Sequence, residues 1–345
     1  MLETTWFVIW GVLWAVYFML DGFDFGVGML FPWLGRTDEE KRAILNSIAP
    51  FWDGNEVWLI TAGGVTFAAF PAAYAVLFSA LYSPLMIILF ALIVRAVSFE
   101  FRGKIDHPSW RTLFDAGIFL GSVLPAILFG VAFANIFMGI PIDAEGVYHG
   151  SIFTLLNPYG LAGGVFFFLL FVMHGTLWIA GRSGAAFSER ARVLSERVWV
   201  PLALVAVLFL VLTAIYTRLW ENYTVLPVLL VVPAGAVASL FAERYYIKKR
   251  LLRKAFFSSA AVIGMSVLFG VLGLFPDLLP STLNKGYSLT IQNAASTPLT
   301  LTIMLVVAVI VVPTVMLYQA WVYRLFHRGI TTPESTAETA PEEAY

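Results

Sequence analysis

Asp21 and Asp24 stand three residues apart inside one apolar stretch, and Asp53 and Glu56 repeat that spacing at the start of the next. On a helix the spacing puts both carboxyls of a pair on one face. Arg95 and Glu100 lie in a third apolar stretch, Asp115 opens a fourth and His174 sits in a fifth. Charges at such positions are costly in a bilayer and are functional candidates by default. Six acids against one arginine cannot all be ionised in a low dielectric, so some hold protons, and a cluster of that kind can pass them on. Other chemistries have less to stand on. The chain has no cysteine, which removes disulfides, thiolate catalysis, iron–sulfur ligation and cysteine zinc sites. Of His107, His149, His174 and His327, only His174 is within an apolar stretch. It allows one haem ligand at most, and reads more readily as a histidine hydrogen-bonded inside a bundle.

The elements that must position these groups are membrane helices. Of 345 residues, 60% are hydrophobic and 12% charged, with a mean hydropathy of +0.84, whereas a soluble domain is roughly a quarter charged. A soluble globular fold is excluded. A formal net charge of -1 gives no basic excess for nucleic acid. Apolar runs of about 20 residues, enough to cross ~30 Å of hydrocarbon, fall at 5–34, 51–70, 75–101, 113–139, 159–181, 198–219, 224–243, 255–275 and 298–325. They are continuous and lack the alternation of barrel strands, so they predict an all-α bundle of nine transmembrane helices. The first run, from Trp6, reaches Asp21 without a small-residue cleavage pattern and reads as a retained helix.

Eighteen of the 21 Lys and Arg fall in the connections 35–50, 102–112, 182–197 and 244–254 and at the C-terminal end, all on one side of a nine-span bundle. Arg218 and Lys285 alone are on the other side, and Arg95 is within a span. Cytoplasmic loops retain positive charge, which puts the N-terminus outside and the C-terminus in the cytoplasm. Residues 1–330 read as a single polytopic domain. The stretch 331–345, glutamate- and proline-rich among small residues, reads as a disordered acidic cytoplasmic tail. In this orientation Asp24 is roughly 14 Å and Arg95 roughly 9 Å from the inner ends of their helices. Asp115 and Glu56 read equally well as helix-start carboxylates favoured by the dipole, but Asp24 is too deep to be a cap. The three glycines of Asp21 to Gly28 permit close helix–helix approach.

Three segments carry a resemblance: Asp21 to Gly28 (DGFDFGVG), Asn46 to Leu59 (NSIAPFWDGNEVWL) and Thr61-Ala62-Gly63-Gly64 closely resemble subunit II of the cytochrome bd-type quinol oxidases. Arg95 to Lys104 (RAVSFEFRGK), Trp110 to Phe119, Leu155 to Pro158, Phe275-Pro276 and Ser296 to Thr300 fit the same subunit. The likeness covers nearly the whole chain and is weakest through the sixth and seventh spans. It implies two four-helix bundles plus one peripheral helix, in a multi-pass protein of a bacterial or archaeal cytoplasmic membrane. It also implies a heterodimer with a haem-bearing subunit I, which holds haems b and d and oxidises quinol while O2 is reduced to water. This chain would then bind no haem or metal, and its buried acids would supply protons from the cytoplasm. The positions matching the proton path are Asp24, Asp53, Arg95 and Asp115, with Asp21, Glu56 and Glu100 beside them. The resemblance leaves open the choice between ubiquinol and menaquinol, a structural quinone in this subunit and a small single-helix subunit beside it.

Without the resemblance, the same buried acids would suit a stand-alone proton-coupled transporter or a scaffold in which each charge is a packing pin. The charge partition makes a prediction of its own. Reporter fusions after residues 40, 106, 190 or 250 should behave as cytoplasmic and those after 147 or 285 as external. One reversed site within the first five spans would mean a miscounted helix.

Overall fold

The structure is a computed structural model that describes residues 1–182 and 186–326. The expected tail, 331–345, and His327 lie outside the described residues. In chain order the helices are α1 (Leu2–Leu34), α2 (Asp38–Asn46), α3 (Trp52–Ala69), α4 (Pro71–Ala80), α5 (Tyr82–Phe101), α6 (Pro108–Met138) and α7 (Ile152–Leu155). They continue as α8 (Pro158–Arg182), α9 (Ala186–Tyr216), α10 (Leu219–Val225), α11 (Val231–Lys248, led by the 3-10 turn Pro227–Leu230), α12 (Leu252–Leu274) and α13 (Pro298–Leu325). Eight of them are long and apolar enough to cross a membrane by length and composition. The expected span 51–70 appears as α3, which is not one of those eight and whose first turns carry Asp53, Asn55 and Glu56.

The third expected span, 75–101, is not one helix. Pro84 would drive its ring into the carbonyl of Ala80 if the helix ran through, and the chain breaks at Leu81 between α4 and α5. The sixth starts twelve residues before the expected 198. Its charged first turns look like a loop in the sequence, yet Arg192 pairs at 2.6 Å with Glu189 and with Glu196, spacings that stabilise helix. Strand structure, not expected, is limited among the described residues to a small antiparallel pair, Asp277–Leu279 with Leu289–Thr290, in the loop before α13, and to isolated bridges of Ile140 with Ser281 and Ile142 with Tyr148. Pro298 at the first helical position and Thr297, whose hydroxyl accepts from the Thr300 N–H at 3.3 Å, start α13.

Two helix sets share a seam. One is α1, α3, α5 and α6, the other α8, α9, α11 and α12, and α8 joins them by packing on both α1 and α6. α13 packs chiefly on α1 and α3, and Leu301 is its one buried residue among those described. The seam between α1 and α8 is a glycine crossing: a Cβ on Gly26 would lie 2.7 Å from both Cα and N of Gly175. Such contact, backbone on backbone, is how helices associate where lipid offers no hydrophobic drive.

Gly26→Val should therefore force α1 from α8 and cost at least about 3 kcal/mol, in line with overpacked cores. Gly63→Ala, where a Cβ meets nothing within 4 Å, should be neutral. Thermal unfolding of the detergent-solubilised protein distinguishes the two, and equal midpoints would refute the crossing.

Candidate functional site

Three helices bring charge to one depth. Asp21 and Asp24 on α1 and Arg95 on α5 are fully buried, and Glu56 on α3 has a side chain 22% exposed. Arg95 Nη2 donates to Asp21 Oδ1 at 3.1 Å, while Nη1 stands 3.4 Å from Glu56 Oε1, near enough for an ion pair but not aligned as a hydrogen bond. Phe25 and Phe99 cover the guanidinium, their ring centroids 4.4 and 5.6 Å from its carbon. The close packing of α5 on α6 depends on Gly121, whose Cβ would lie 2.6 Å from that of Arg95.

Arg95 does not pair with Asp24, although both were expected in the inner half of the membrane. Asp24 Oδ2 instead accepts from Asn55 Nδ2 at 2.6 Å, and Asn55 Oδ1 accepts from the Tyr323 hydroxyl of α13 at 2.9 Å. Asp21 and Asp24 point toward different neighbours, α5 and α3, although they share one side of α1. Asn55 was not among the sequence candidates; its signal was an amide two residues after Asp53 in an otherwise apolar helix. Around this centre Asp21 Oδ2, Asp24 Oδ1, Glu56 Oε1, Arg95 Nε and Nη1 and the Tyr17 hydroxyl are buried without a protein hydrogen-bond partner. Buried polar atoms are normally satisfied, and six without a protein hydrogen bond in one place make this centre the candidate site.

The other candidates lie outside this centre. Asp53 is exposed, and its carboxylate accepts from the Gly54 N–H at 2.6 Å. Glu100 lines a cavity of about 390 Å³ with Arg42, Arg102, Lys104, Trp52 and Phe99. Phe99 is thus shared between that open cavity and the covering of Arg95. Asp115 belongs to a separate clamp: its two oxygens accept from Arg102 Nε at 2.5 Å and Lys41 Nζ at 2.8 Å. Arg102 also donates to Asp38 at 2.7 Å, and Arg111 and Arg42 reach the same carboxylate at 3.2 and 3.3 Å. Partial burial acts to raise the proton affinity of Asp38, but these three arginines outweigh it and hold its carboxyl below the usual carboxylate range. A depressed value contributes stability at neutral pH that is lost only as the pH falls through it.

His174 stacks on Phe256 and has both ring nitrogens engaged: Nδ1 with Ser259 Oγ at 3.2 Å and Nε2 with the Met19 carbonyl at 3.0 Å. Neither nitrogen is left for a haem iron, so the described residues do not fit that group through an intramembrane histidine.

The chain matches the family described as cytochrome bd terminal oxidase subunit II over residues 2–326. It is 37% identical to the cytochrome bd ubiquinol oxidase subunit 2 of Bacillus subtilis, covering 96% of this chain and 98% of that one. It is 34% identical to the cytochrome bd-I ubiquinol oxidase subunit 2 of Escherichia coli K12, over 95% of each. Among solved structures it resembles the bd oxidase from Geobacillus thermodenitrificans, with a TM-score of 0.76, 16% identity and coverage of 94% of this chain and 98% of that one.

The geometry at Arg95 predicts a specific non-additivity. Arg95→Met strands Asp21 and Glu56 and should cost about 3–5 kcal/mol, as for other broken buried pairs. Adding Asp21→Asn should recover part of that loss in thermal unfolding. Purely additive losses would mean that the two side chains do not interact.

Proposed function

Because this chain belongs to the cytochrome bd terminal oxidase subunit II family, we propose that its Arg95 centre carries protons from the basic side of the membrane toward a haem-bearing partner. The chain is a subunit of a quinol oxidase complex, an oxidoreductase, and a stand-alone transporter is not favoured by relatives matched along 95% or more of it. It needs a second oxidase subunit to act. Haems b and d, which supply electron transfer and O2 reduction when bound, belong in this reading to that partner, with nine spans here, the N-terminus outside and the basic end in the cytoplasm. A bound quinone and a small extra subunit are compatible with it and are not required.

One observation supports the reading above the rest: two guanidinium nitrogens of Arg95 and four buried oxygens around it, from Tyr17, Asp21, Asp24 and Glu56, have no hydrogen bond within the protein. The residues divide the work by position. Asp53, exposed at the start of α3, collects protons. Glu56, one turn further along the same face, is half inside and borders Arg95. Asp21 pairs with the guanidinium, which cannot give up its own proton. Asp24 is anchored by Asn55 and presents its free oxygen, Oδ1, to the interior. The cavity beside Glu100, separated from Arg95 by the Phe99 ring, gives water a way to the edge of the centre. Asp115 serves in the clamp that fixes α2, α5 and α6 and keeps this mouth in place.

Asp→Asn and Glu→Gln keep shape and abolish proton exchange. Asp24→Asn and Glu56→Gln in the intact oxidase should assemble with normal haem content and lose turnover tenfold or more, about 1.4 kcal/mol or above in barrier. Asp53→Asn should lose less, because neighbouring surface water can replace it. His174→Ala should leave the haem content unchanged. Wild-type quinol-oxidase turnover and proton uptake in both Asp24→Asn and Glu56→Gln would assign the path wholly to the partner.

A further inference from the structure

Far from Arg95, the membrane-spanning part of the chain encloses one more acid. Leu240, Glu243 and Ile247 are the buried residues of α11, spaced three and four apart on one helix face. That face packs against α12 and, less extensively, α9. Glu243 therefore occupies the middle of a packing stripe, a place where a residue of Leu type is expected. It is 0% exposed and neither carboxyl oxygen has a hydrogen-bond partner. Asp21, Asp24 and Asp115, the other buried acids among the described residues, each have at least one.

The charged groups nearby are turned to other work. Arg244, the next residue, donates to the Glu196 carbonyl at 2.8 Å and lies 5.2 Å over the Trp199 ring. On α9, Arg192 is taken by Glu189 and Glu196. Lys249 and Lys254 sit 5.9 and 5.8 Å over the rings of Tyr245 and Tyr246. Arg197, Lys248 and Arg253 complete the charged set of α9, α11 and α12 near this level, and none donates to Glu243. Of the buried hydroxyls, Ser195 donates to the Arg192 carbonyl at 2.6 Å and Ser259 is engaged with His174.

An ionised carboxylate in such a place, without a protein partner, is far more costly than its protonated form. Five residues separate Glu243 from Lys248 at the helix end, roughly 7–8 Å at helical rise. In the opposite direction, one turn along, Leu240 lines a cavity of about 60 Å³ walled by Phe166, Phe209, Val262 and Phe269, which offers a proton almost no polar group. The shorter way to solution is therefore toward the basic end.

We propose that Glu243 is a second proton-binding site of this subunit: a neutral carboxylic acid in the seam of α9, α11 and α12, exchanging its proton with solution at the basic end of the bundle. It stands apart from the Arg95 centre and does not depend on that centre's role. The test is infrared difference spectroscopy of the intact oxidase, wild type against Glu243→Gln, in ordinary and heavy water. The wild type should show a carbonyl stretch of a neutral carboxylic acid that is lost in Glu243→Gln, retained in Asp24→Asn and moved to lower frequency in heavy water. Loss of a carboxylate stretch instead would overturn the proposal, as would an acid band that never shifts in heavy water, since that proton is sealed in. Glu243→Met, apolar and of similar volume, provides the same comparison if the amide variant does not assemble. Failure of both to assemble would also overturn it, because a neutral acid without protein partners tolerates an apolar replacement.

Discussion

A guanidinium enclosed in a helix bundle cannot be neutralised by losing its proton, and Arg95, with no exposed surface, imposes that condition on everything around it. An anion must come to it. α1 supplies Asp21 and α3 supplies Glu56, so three helices are obliged to meet at one depth. Gly121 lets α6 press against α5 at that level, and Phe25 and Phe99 close over the charge. With α1 between α3 and α6 and α5 on α6, both acids reach the same cation.

The acids divide by how fully they are partnered. At the basic end Asp38 and Asp115 are shared among Arg42, Arg102, Arg111 and Lys41, with distances of 2.5 to 3.3 Å. Such a network gains by being complete and rigid. The Arg95 centre is short of partners on both signs of charge at once. Incompleteness destabilises a fold, yet a group that must bind and release a proton needs a free lone pair. In the proposed path the same residue types serve as clamp or carrier according to how many donors surround them.

Much of this was legible in the sequence and some was not. The span edges at 34, 101, 139 and 325 agree with helix ends to within one residue, because apolar length is fixed by the bilayer. The break at Leu81 could have been read from Pro84. The early start of α9 could have been read from Glu189, Arg192 and Glu196 at three- and four-residue spacing. Which aspartate Arg95 holds could not: Asp21 and Asp24 share one side of α1, and the choice depends on how α1 is rotated against α5 and α3. Asp53 and Asp115 were legible as acids near the starts of their helices but their neighbours were not, since position along a helix follows from counting residues and neighbours follow from packing. Glu243 closes the expected seventh span and was passed over as its end.

The start of α3 ties the buried centre to the outermost helix. Asn55 holds Asp24 with its amide nitrogen and accepts from Tyr323 with its amide oxygen. Gln319, one turn before Tyr323, donates to the Gly54 carbonyl at 3.0 Å and accepts from Trp58 Nε1 at 2.8 Å. Phe51 stacks on Tyr323 at 4.4 Å. These are the side-chain hydrogen bonds that link α13 to α3, and they gather in the two turns that also carry Glu56. Elsewhere α13 is almost wholly exposed, so its position rests on this polar anchor more than on packing. A shift of α13 is then felt by Asp24 through a single amide, whose oxygen and nitrogen cannot both keep their partners if Tyr323 moves away.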